Sequence, residues 1–184
     1  MKKKGSVQDW NESLQVGALG VQEVSAFLET EIVKTTWFDT QLVHNVEQDP
    51  RYQKHDIDLL WVIPVFDYLR CYTIEVKTDR NRHTGNFFFE TVSVVHREKP
   101  GAFVITRAEW LFYLFIDAGD LFCFPMNALK PWFLEHEDEF AEKRSHTNNN
   151  EKMFSWTTIG RVVPIDRVVQ AIAGGKRFQK RDSK

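Results

Sequence analysis

Two short apolar segments with acids at alternate positions constrain this 184-residue chain more than any other feature. The first, HDIDLLWVI, covers residues 55–63, and the second, YTIEVKT, covers residues 72–78. On a β-strand, side chains two residues apart share a face, so Glu75 and Lys77 point one way while their neighbours point into a core. Asp58 has the same relation to the apolar residues of the first segment. We therefore predict two strands that present carboxylates and an amine together at one edge of a sheet.

A carboxylate cluster of this kind needs a proton or a cation between its members. Two carboxylates about 4 Å apart repel by roughly 4 kcal/mol at an effective dielectric constant of about 20. Hard oxygen ligands favour Mg²⁺ or Mn²⁺, and bound Mg²⁺ usually keeps several waters and takes further ligands from substrate phosphates. The cluster thus indicates metal-dependent chemistry at a phosphodiester, with Lys77 placed to orient or deprotonate the attacking water.

The order Asp58, a 16-residue gap, then Glu75-Val76-Lys77 resembles the PD-(D/E)XK nuclease superfamily. HDIDLLWV and IEVKT are similar to segments of archaeal Holliday-junction resolvases and related small nucleases. The resemblance implies a restriction-endonuclease-like α/β core, a central mixed sheet flanked by helices. It also implies that Asp58, Glu75 and the carbonyl of Val76 bind metal, and that Lys77 is the catalytic lysine. Ile57 replaces the proline of the motif, a position that is loose in the superfamily.

An amphipathic helix is predicted before these strands, over residues 13–33. The superfamily often has a glutamate on its first helix that helps to bind a second metal or its water. The resemblance therefore implies a catalytic and metal-binding role for Glu23, for which a solvated helix glutamate is the alternative. Asp56 presents a similar choice, because an acid two residues before Asp58 can equally end a strand in water.

Three downstream segments, residues 78–93, 100–115 and 121–133, resemble phage-type PD-(D/E)XK endonucleases. In those enzymes a Gly-Asn-apolar-Glu strand precedes a G-x-x-x-T-x-A-x-x-W helix start. Glu90 would lie on that strand, either in contact with substrate or as a paired charge at a strand end. The resemblance implies a nuclease of a phage or mobile element.

Basic residues collect locally although the net charge is −2. Phosphate binding depends on such local patches rather than on the total charge. The KRFQKRDSK tail is a further basic segment, whereas the acidic run 135–142 is expected to be a solvated helix face. We predict DNA contacts from the loop after the second acidic segment and from the next turn, at Arg80, Arg82, His83, Asn86, Arg97 and Lys99.

Patterning along the chain predicts one mixed α/β domain, residues 1–184, with short basic N- and C-terminal tails. The predicted strands are 40–46, 56–63, 69–77, 86–95, a strand opened by Gly101, 120–124 and 152–159. The predicted helices are 13–33, a helix capped by Thr106 and running through Phe115, 126–141 and 165–173, with a loop at 146–151.

Composition predicts a soluble cytoplasmic protein. Hydrophobic residues make up 42% of the chain, which supplies a core, but no run approaches the about 20 apolar residues of a membrane span. The N-terminus lacks a signal peptide's apolar stretch. Cys71 and Cys123 lie in apolar strands and are expected to be buried thiols, which argues against zinc. Phosphate-loop, dinucleotide and serine-hydrolase motifs are absent, and His44-Asn45 lacks the second histidine of a His-Asn-His nuclease.

The predicted function is a Mg²⁺-dependent endodeoxyribonuclease, with Mn²⁺ expected to substitute. It would act as a homing or restriction enzyme or as a junction-resolving enzyme. DNA is the expected partner, and a homodimer is a further expectation because cutting both strands needs two sites. A non-catalytic DNA-binding module on a nuclease fold and a ribonuclease are the alternatives.

Overall fold

The computed structural model describes residues 7–30, 42–149 and 154–179. Within these ranges the chain has a mixed α/β fold, with β-sheets flanked by helices. None of the described helices combines the length and the apolar character that crossing a membrane requires. The helices are α1 (Trp10–Thr30), α2 (Pro50–Gln53), α3 (Ala102–Ile105), α4 (Met126–His136) and α5 (Ile165–Ala171). The strands are β1 (Val7–Asp9), β2 (Leu42–Asn45), β3 (Leu59–Val65), β4 (Tyr68–Asp79), β5 (Asn86–Val94), β6 (Lys99–Pro100), β7 (Trp110–Phe115), β8 (Asp120–Pro125), β9 (Ala141–Asn149), β10 (Phe154–Pro164) and β11 (Lys176–Gln179).

Six strands form the central sheet, in the order β11-β8-β7-β4-β3-β2. Strands β2, β3 and β4 are antiparallel neighbours, whereas β7 runs parallel to β4. Between β4 and β7 the chain passes through β5 and β6 of the second sheet, whose order is β1-β9-β10-β5-β6, and then through α3. The prediction of a mixed central sheet flanked by helices is confirmed.

Helix α1 packs on one face of the central sheet. Val24 and Leu28 are buried against Ile74 of β4. Gly20 allows the close approach, because a Cβ atom there would lie 1.8 Å from Oγ1 of Thr78. Side chains alternate along a strand, so the acid-bearing face of β4 points away from α1.

The other face of the central sheet packs against the second sheet and α4 through an aromatic core. The Phe87 ring meets the Tyr113 ring edge-on with 4.8 Å between centroids, and Phe89 stacks on Phe103 at 4.3 Å. Such pairs add about 0.5–1.5 kcal/mol each beyond area burial. The Tyr113 hydroxyl donates to Oδ2 of Asp79 at 2.9 Å, so this buried phenol has a polar partner at the end of β4.

Two neighbouring predictions are wrong in type. Residues 102–105, predicted as a strand, form α3, and the predicted helix that follows is strand β7. Thr106 does not cap a helix; its Oγ1 accepts from the Ala108 backbone N–H at 3.1 Å and donates to the Asp56 carbonyl at 2.9 Å. The run WLFYLF is buried on both sides in the middle of the sheet, and such strands lack the alternation that distinguishes a strand from a helix.

Other predicted boundaries shift. Helix α4 ends at His136, and strand β9 occupies residues that were predicted as helix end and loop. Part of the predicted basic tail, Lys176–Gln179, is the edge strand β11. Cys123 is buried but Cys71 is exposed, so the expectation of two buried thiols is wrong for Cys71. Residues 31–33, 40–41 and 150–153 of the predicted elements, and the outermost residues of both tails, lie outside the described ranges.

Candidate active site

Asp58 and Glu75 lie beside each other at the start of the β3–β4 pair. Leu59 pairs with Ile74, and the Asp58 backbone N–H donates to the Ile74 carbonyl at 2.9 Å. Oδ2 of Asp58 accepts from the Val76 backbone N–H at 2.8 Å, and each of the two carboxyl groups shifts the pKa of the other. Glu75 is only 9% exposed. The predicted convergence of these two carboxyl groups is thus present.

Burial makes this pair difficult to ionise. Burial and the neighbouring acids Glu47 and Asp56 raise the pKa of Asp58 to about 6, although the Val76 N–H opposes the increase. Burial, then the charges of Asp58 and Asp56, raise the pKa of Glu75 well above its usual range. The raised pKa values of these adjacent groups favour a proton or a cation between them near neutral pH.

Lys77 lies two residues after Glu75 on the same face of β4. Its charge lowers the pKa of Glu75 and of Asp56, against the larger effect of burial. Lys77 and Glu75 line a cavity of about 20 Å³ together with Glu90 and Thr106. This volume is sufficient for one water molecule. The arrangement brings a lysine, a carboxyl pair and space for a water together.

Asp56, for which the sequence left two interpretations, belongs to the same acidic group. Its Oδ2 is buried and has no hydrogen-bond partner among the described residues. Burial and then the Glu90 charge raise the pKa of Asp56 to about 6, while Lys99 and Lys77 oppose the increase. Its φ of 45° lies in the left-handed region, where non-glycine residues are uncommon. Asp56 is therefore not a water-exposed strand end.

Glu90 comes to this group from the second sheet. Its Oε1 accepts from the hydroxyl of Ser93 and, at 3.4 Å, from the backbone N–H of Ala102 at the start of α3. Its charge also acts on Asp56. The alternation of HDID could have indicated Asp56, whereas the position of Glu90 depends on how the two sheets pack.

Glu23 is not brought to the carboxyl pair. It lies on the exposed side of α1, and α1 packs on the face of β4 opposite to Glu75 and Lys77. The described residues contain no group of three or more histidine, cysteine, aspartate or glutamate side chains arranged to hold a metal. Mg²⁺ is often bound through only one or two protein carboxylates, with waters and phosphates completing its shell. Asp58 and Glu75 fit that kind of site.

The predicted DNA-binding loop after β4 is largely engaged within the protein. Nε of Arg82 donates to Oδ2 of Asp120 at 2.6 Å, and NH1 of Arg80 donates to Oε1 of Glu12 at 2.7 Å. Nδ2 of Asn86 donates to the backbone carbonyl of Thr84 at 2.6 Å. The side chains of the remaining predicted contacts are exposed, namely His83, Arg97 and Lys99.

Comparisons of the chain with protein-family models, with curated proteins and with solved structures found no match. The functional assignment therefore depends on the residues of the site and on their motif.

Proposed function

We propose that this protein is a metal-dependent endonuclease that hydrolyses phosphodiester bonds of DNA, on a core of the PD-(D/E)XK type. One observation carries the proposal. The half-buried Asp58, next to β3, and the buried Glu75 of β4 form a carboxyl pair, and Lys77 follows on the same face beside a cavity for one water. A phage or mobile-element origin rests on the motif resemblance alone.

The order of the strands supports this proposal. An antiparallel trio, β2-β3-β4, carries both motif segments, and a fourth strand, β7, adds in parallel beside β4. Helix α1 covers the opposite face. A restriction-endonuclease-like core would place its acidic motif on such a central strand pair, at the edge where substrate can enter.

Asp58 and Glu75 would hold Mg²⁺, and the motif adds the carbonyl of Val76. When bound, the ion would lower the pKa of a water and neutralise charge on the phosphate. Lys77 would donate through Nζ to that water or to a phosphate oxygen, and so orient the attack. Metal ligands must be deprotonated, so Mg²⁺ would have to displace the proton that the raised pKa of Asp58 favours, and its binding should strengthen as the pH rises.

Cleavage assays test this proposal. Purified protein is incubated with supercoiled plasmid, linear duplex, a four-way junction and single-stranded RNA, each with Mg²⁺, Mn²⁺ or EDTA. We expect metal-dependent cutting of DNA that Lys77→Met and Asp58→Asn abolish. The matched control is Lys176→Met, an exposed lysine on β11, three strands away from β4 in the central sheet. The preferred DNA distinguishes a junction-resolving enzyme from a sequence-specific one.

A readout that does not depend on activity accompanies the assay. Millimolar Mg²⁺ should raise the unfolding temperature of the wild-type chain, since a ligand that binds only the folded state stabilises it. Asp58→Asn should remove this increase and Lys176→Met should retain it. Cutting of RNA alone would favour the ribonuclease. Salt-dependent DNA binding with neither cutting nor a Mg²⁺ effect would contradict the nuclease proposal and favour the non-catalytic DNA-binding module.

Size measurement with and without DNA tests the expected homodimer. Cutting both strands of a duplex needs two active sites, so two chains should assemble on the cut DNA. A single chain per DNA that nicks only one strand would contradict this expectation.

A further inference from the structure

The arginines of the described residues divide into two groups. Eight of the ten make an ion pair with a carboxylate, namely Arg51, Arg70, Arg80, Arg82, Arg144, Arg161, Arg167 and Arg177. Arg97 and Arg107 have no carboxylate partner within residues 7–30, 42–149 and 154–179. Surface guanidinium groups in this protein are therefore usually neutralised, and the two exceptions require a reason.

Arg107 lies at the rim of the acidic group. Its backbone N–H donates to the His55 carbonyl at 3.0 Å, and the preceding Thr106 donates through Oγ1 to the Asp56 carbonyl at 2.9 Å. These two bonds attach the connection between α3 and β7 to the segment that leads into Asp58. Residues 54–56 and 106–107 are thus neighbours, although about fifty positions separate them in the sequence.

Three cationic or ionisable residues belong to this rim, because Lys54 precedes His55 and the Arg107 backbone is bonded to the His55 carbonyl. Burial and then the charges of Arg107 and Lys54 lower the pKa of His55. Arg107 and Lys54 are both exposed. Lys54, too, has no carboxylate partner in the described part of the chain. Like charges placed together repel, and within the described residues neither cation has a carboxylate partner that would offset the repulsion.

The adjacent acids make this arrangement informative. Asp56 follows His55 directly, and its Oδ2 has no hydrogen-bond partner in the described residues. Among the described residues neither Arg107 nor Lys54 forms an ion pair with Asp56, so the charges of the rim are not used by the acidic group. An exposed cationic rim beside an acidic centre suits a ligand that carries a row of anionic groups and bridges the two.

We propose that Lys54 and Arg107 bind the DNA backbone phosphates next to the one that is cut. The DNA would then cross the rim formed by residues 54–56 and 106–107, rather than the loop after β4. This inference rests on the proposed function. Arg107 would form two parallel hydrogen bonds to one phosphate, and Lys54 would act as a point charge on another. Such contacts fix the position of the backbone without reading sequence.

The test measures binding without cutting. All variants are made in a Lys77→Met background, and fluorescence anisotropy follows their binding to labelled duplex and four-way junction in Mg²⁺ between about 50 and 300 mM salt. We expect Arg107→Gln and Lys54→Gln each to weaken binding roughly tenfold at low salt and to lower the salt slope by about 1. Arg107→Lys should recover part of the affinity, because it restores the charge but not the paired hydrogen bonds.

Arg167→Gln is the matched control, because Arg167 is exposed but already paired with Glu139 at 2.7 Å. It should bind within about twofold of the background protein with an unchanged salt slope. Unfolding temperatures verify that each variant is folded. If the Lys54→Gln/Arg107→Gln double variant keeps the affinity and the salt slope of the background protein, this inference is overturned. The proposed nuclease function would still stand if the wild-type protein cuts DNA. Absence of any DNA binding would overturn both proposals.

Discussion

Two buried carboxyl sites of this protein are electrostatic opposites. Asp120, at the start of β8, is 2% exposed, and it accepts from Nε of Arg82 at 2.6 Å and from Nε of Arg177 at 2.7 Å. Burial alone would raise its pKa, but the hydrogen bonds and charges of Arg177 and Arg82 lower it. At Asp58 and Glu75 the same burial is opposed only weakly, and both pKa values are raised.

This difference in pKa shift distinguishes a carboxylate that stabilises the fold from carboxyl groups that are available to a ligand. Asp120 ties the loop after β4 and the edge strand β11 to the middle of the molecule, and both guanidinium groups also lie over the Phe122 ring. Its electrostatics are complete within the chain. Among the described residues no arginine pairs with Asp58 or Glu75 as two do with Asp120, so an external cation has the most to gain at this pair.

The largest expected effect comes from removing the carboxylate of Asp120, which is paired with two arginines. Asp120→Ala would leave two guanidinium groups facing each other, and we expect the free energy of unfolding to fall by about 3 kcal/mol. This is the lower end for a broken buried pair, because the Arg82 and Arg177 side chains are 30% and 49% exposed. Chemical denaturation measures the loss.

Asp117→Ala is the control for that measurement. Its carboxylate is 65% exposed and lies 3.9 Å from Arg80, so its loss should change the free energy of unfolding by less than about 0.5 kcal/mol. Equal effects of the two variants would show that Asp120 does not hold the fold.

Neutralising Asp58 of the Asp58–Glu75 pair should raise the free energy of unfolding, the opposite of the effect at Asp120. Asp58→Asn keeps an acceptor for the Val76 N–H and gains a donor for Glu75, while it removes one of two buried acids. In metal-free buffer near pH 7.5 we expect the free energy of unfolding to rise by about 2 kcal/mol, and Mg²⁺ binding to be lost. A less stable variant would mean that Asp58 stabilises the fold without metal.

The pH dependence distinguishes the sites further. The folded-state pKa of Asp58 is raised from 3.8 to about 6, so its contribution to stability is present below about pH 4 and is lost as pH rises through 6. The gain in stability from Asp58→Asn should therefore disappear near pH 4 and reach its full size above pH 7.

The pKa of Asp120 is lowered, so its stabilisation is present above the unfolded value of 3.8 and is lost only below it. Denaturation in metal-free buffers across this range, on wild type and both variants, measures the two trends. A constant difference between Asp58→Asn and wild type across pH 4–8 would contradict the first.

The part of the site that alternates along a strand could be predicted from the sequence. A period of two places Glu75 and Lys77 on one face whatever the rest of the chain does, and the antiparallel partner brings Asp58 beside them. The acid and the cation that complete the surroundings are Glu90, from β5, and Arg107, from the connection between α3 and β7. Their positions depend on how two sheets pack, and no local pattern reports this.

The position of Glu23 could not be predicted from the sequence for a related reason. Amphipathic periodicity identifies the buried side of a helix, but it does not say which face of a sheet that side will cover. Similarly, the basic character of the loop after β4 was visible in the sequence, whereas Asp120, the partner of Arg82, is 38 positions away. The sequence could not show that this charge was already neutralised.

The smallest expected effect compares two arginines that the sequence marked equally for DNA binding. Arg82→Gln should lower the free energy of unfolding by about 1 kcal/mol, because Asp120 retains only Arg177. Arg80→Gln should change it by less than about 0.5 kcal/mol, since its pair with Glu12 is exposed on both sides. Denaturation measures both, and the anisotropy assay measures their DNA binding. Because each charge is already paired, both variants should alter the salt slope less than Arg107→Gln does. If Arg82→Gln reduced the salt slope as strongly as Arg107→Gln, the loop after β4 would be the DNA-binding surface. Arg82 would then bind DNA although it is paired with Asp120, so pairing within the protein would not distinguish structural charges from ligand-binding ones.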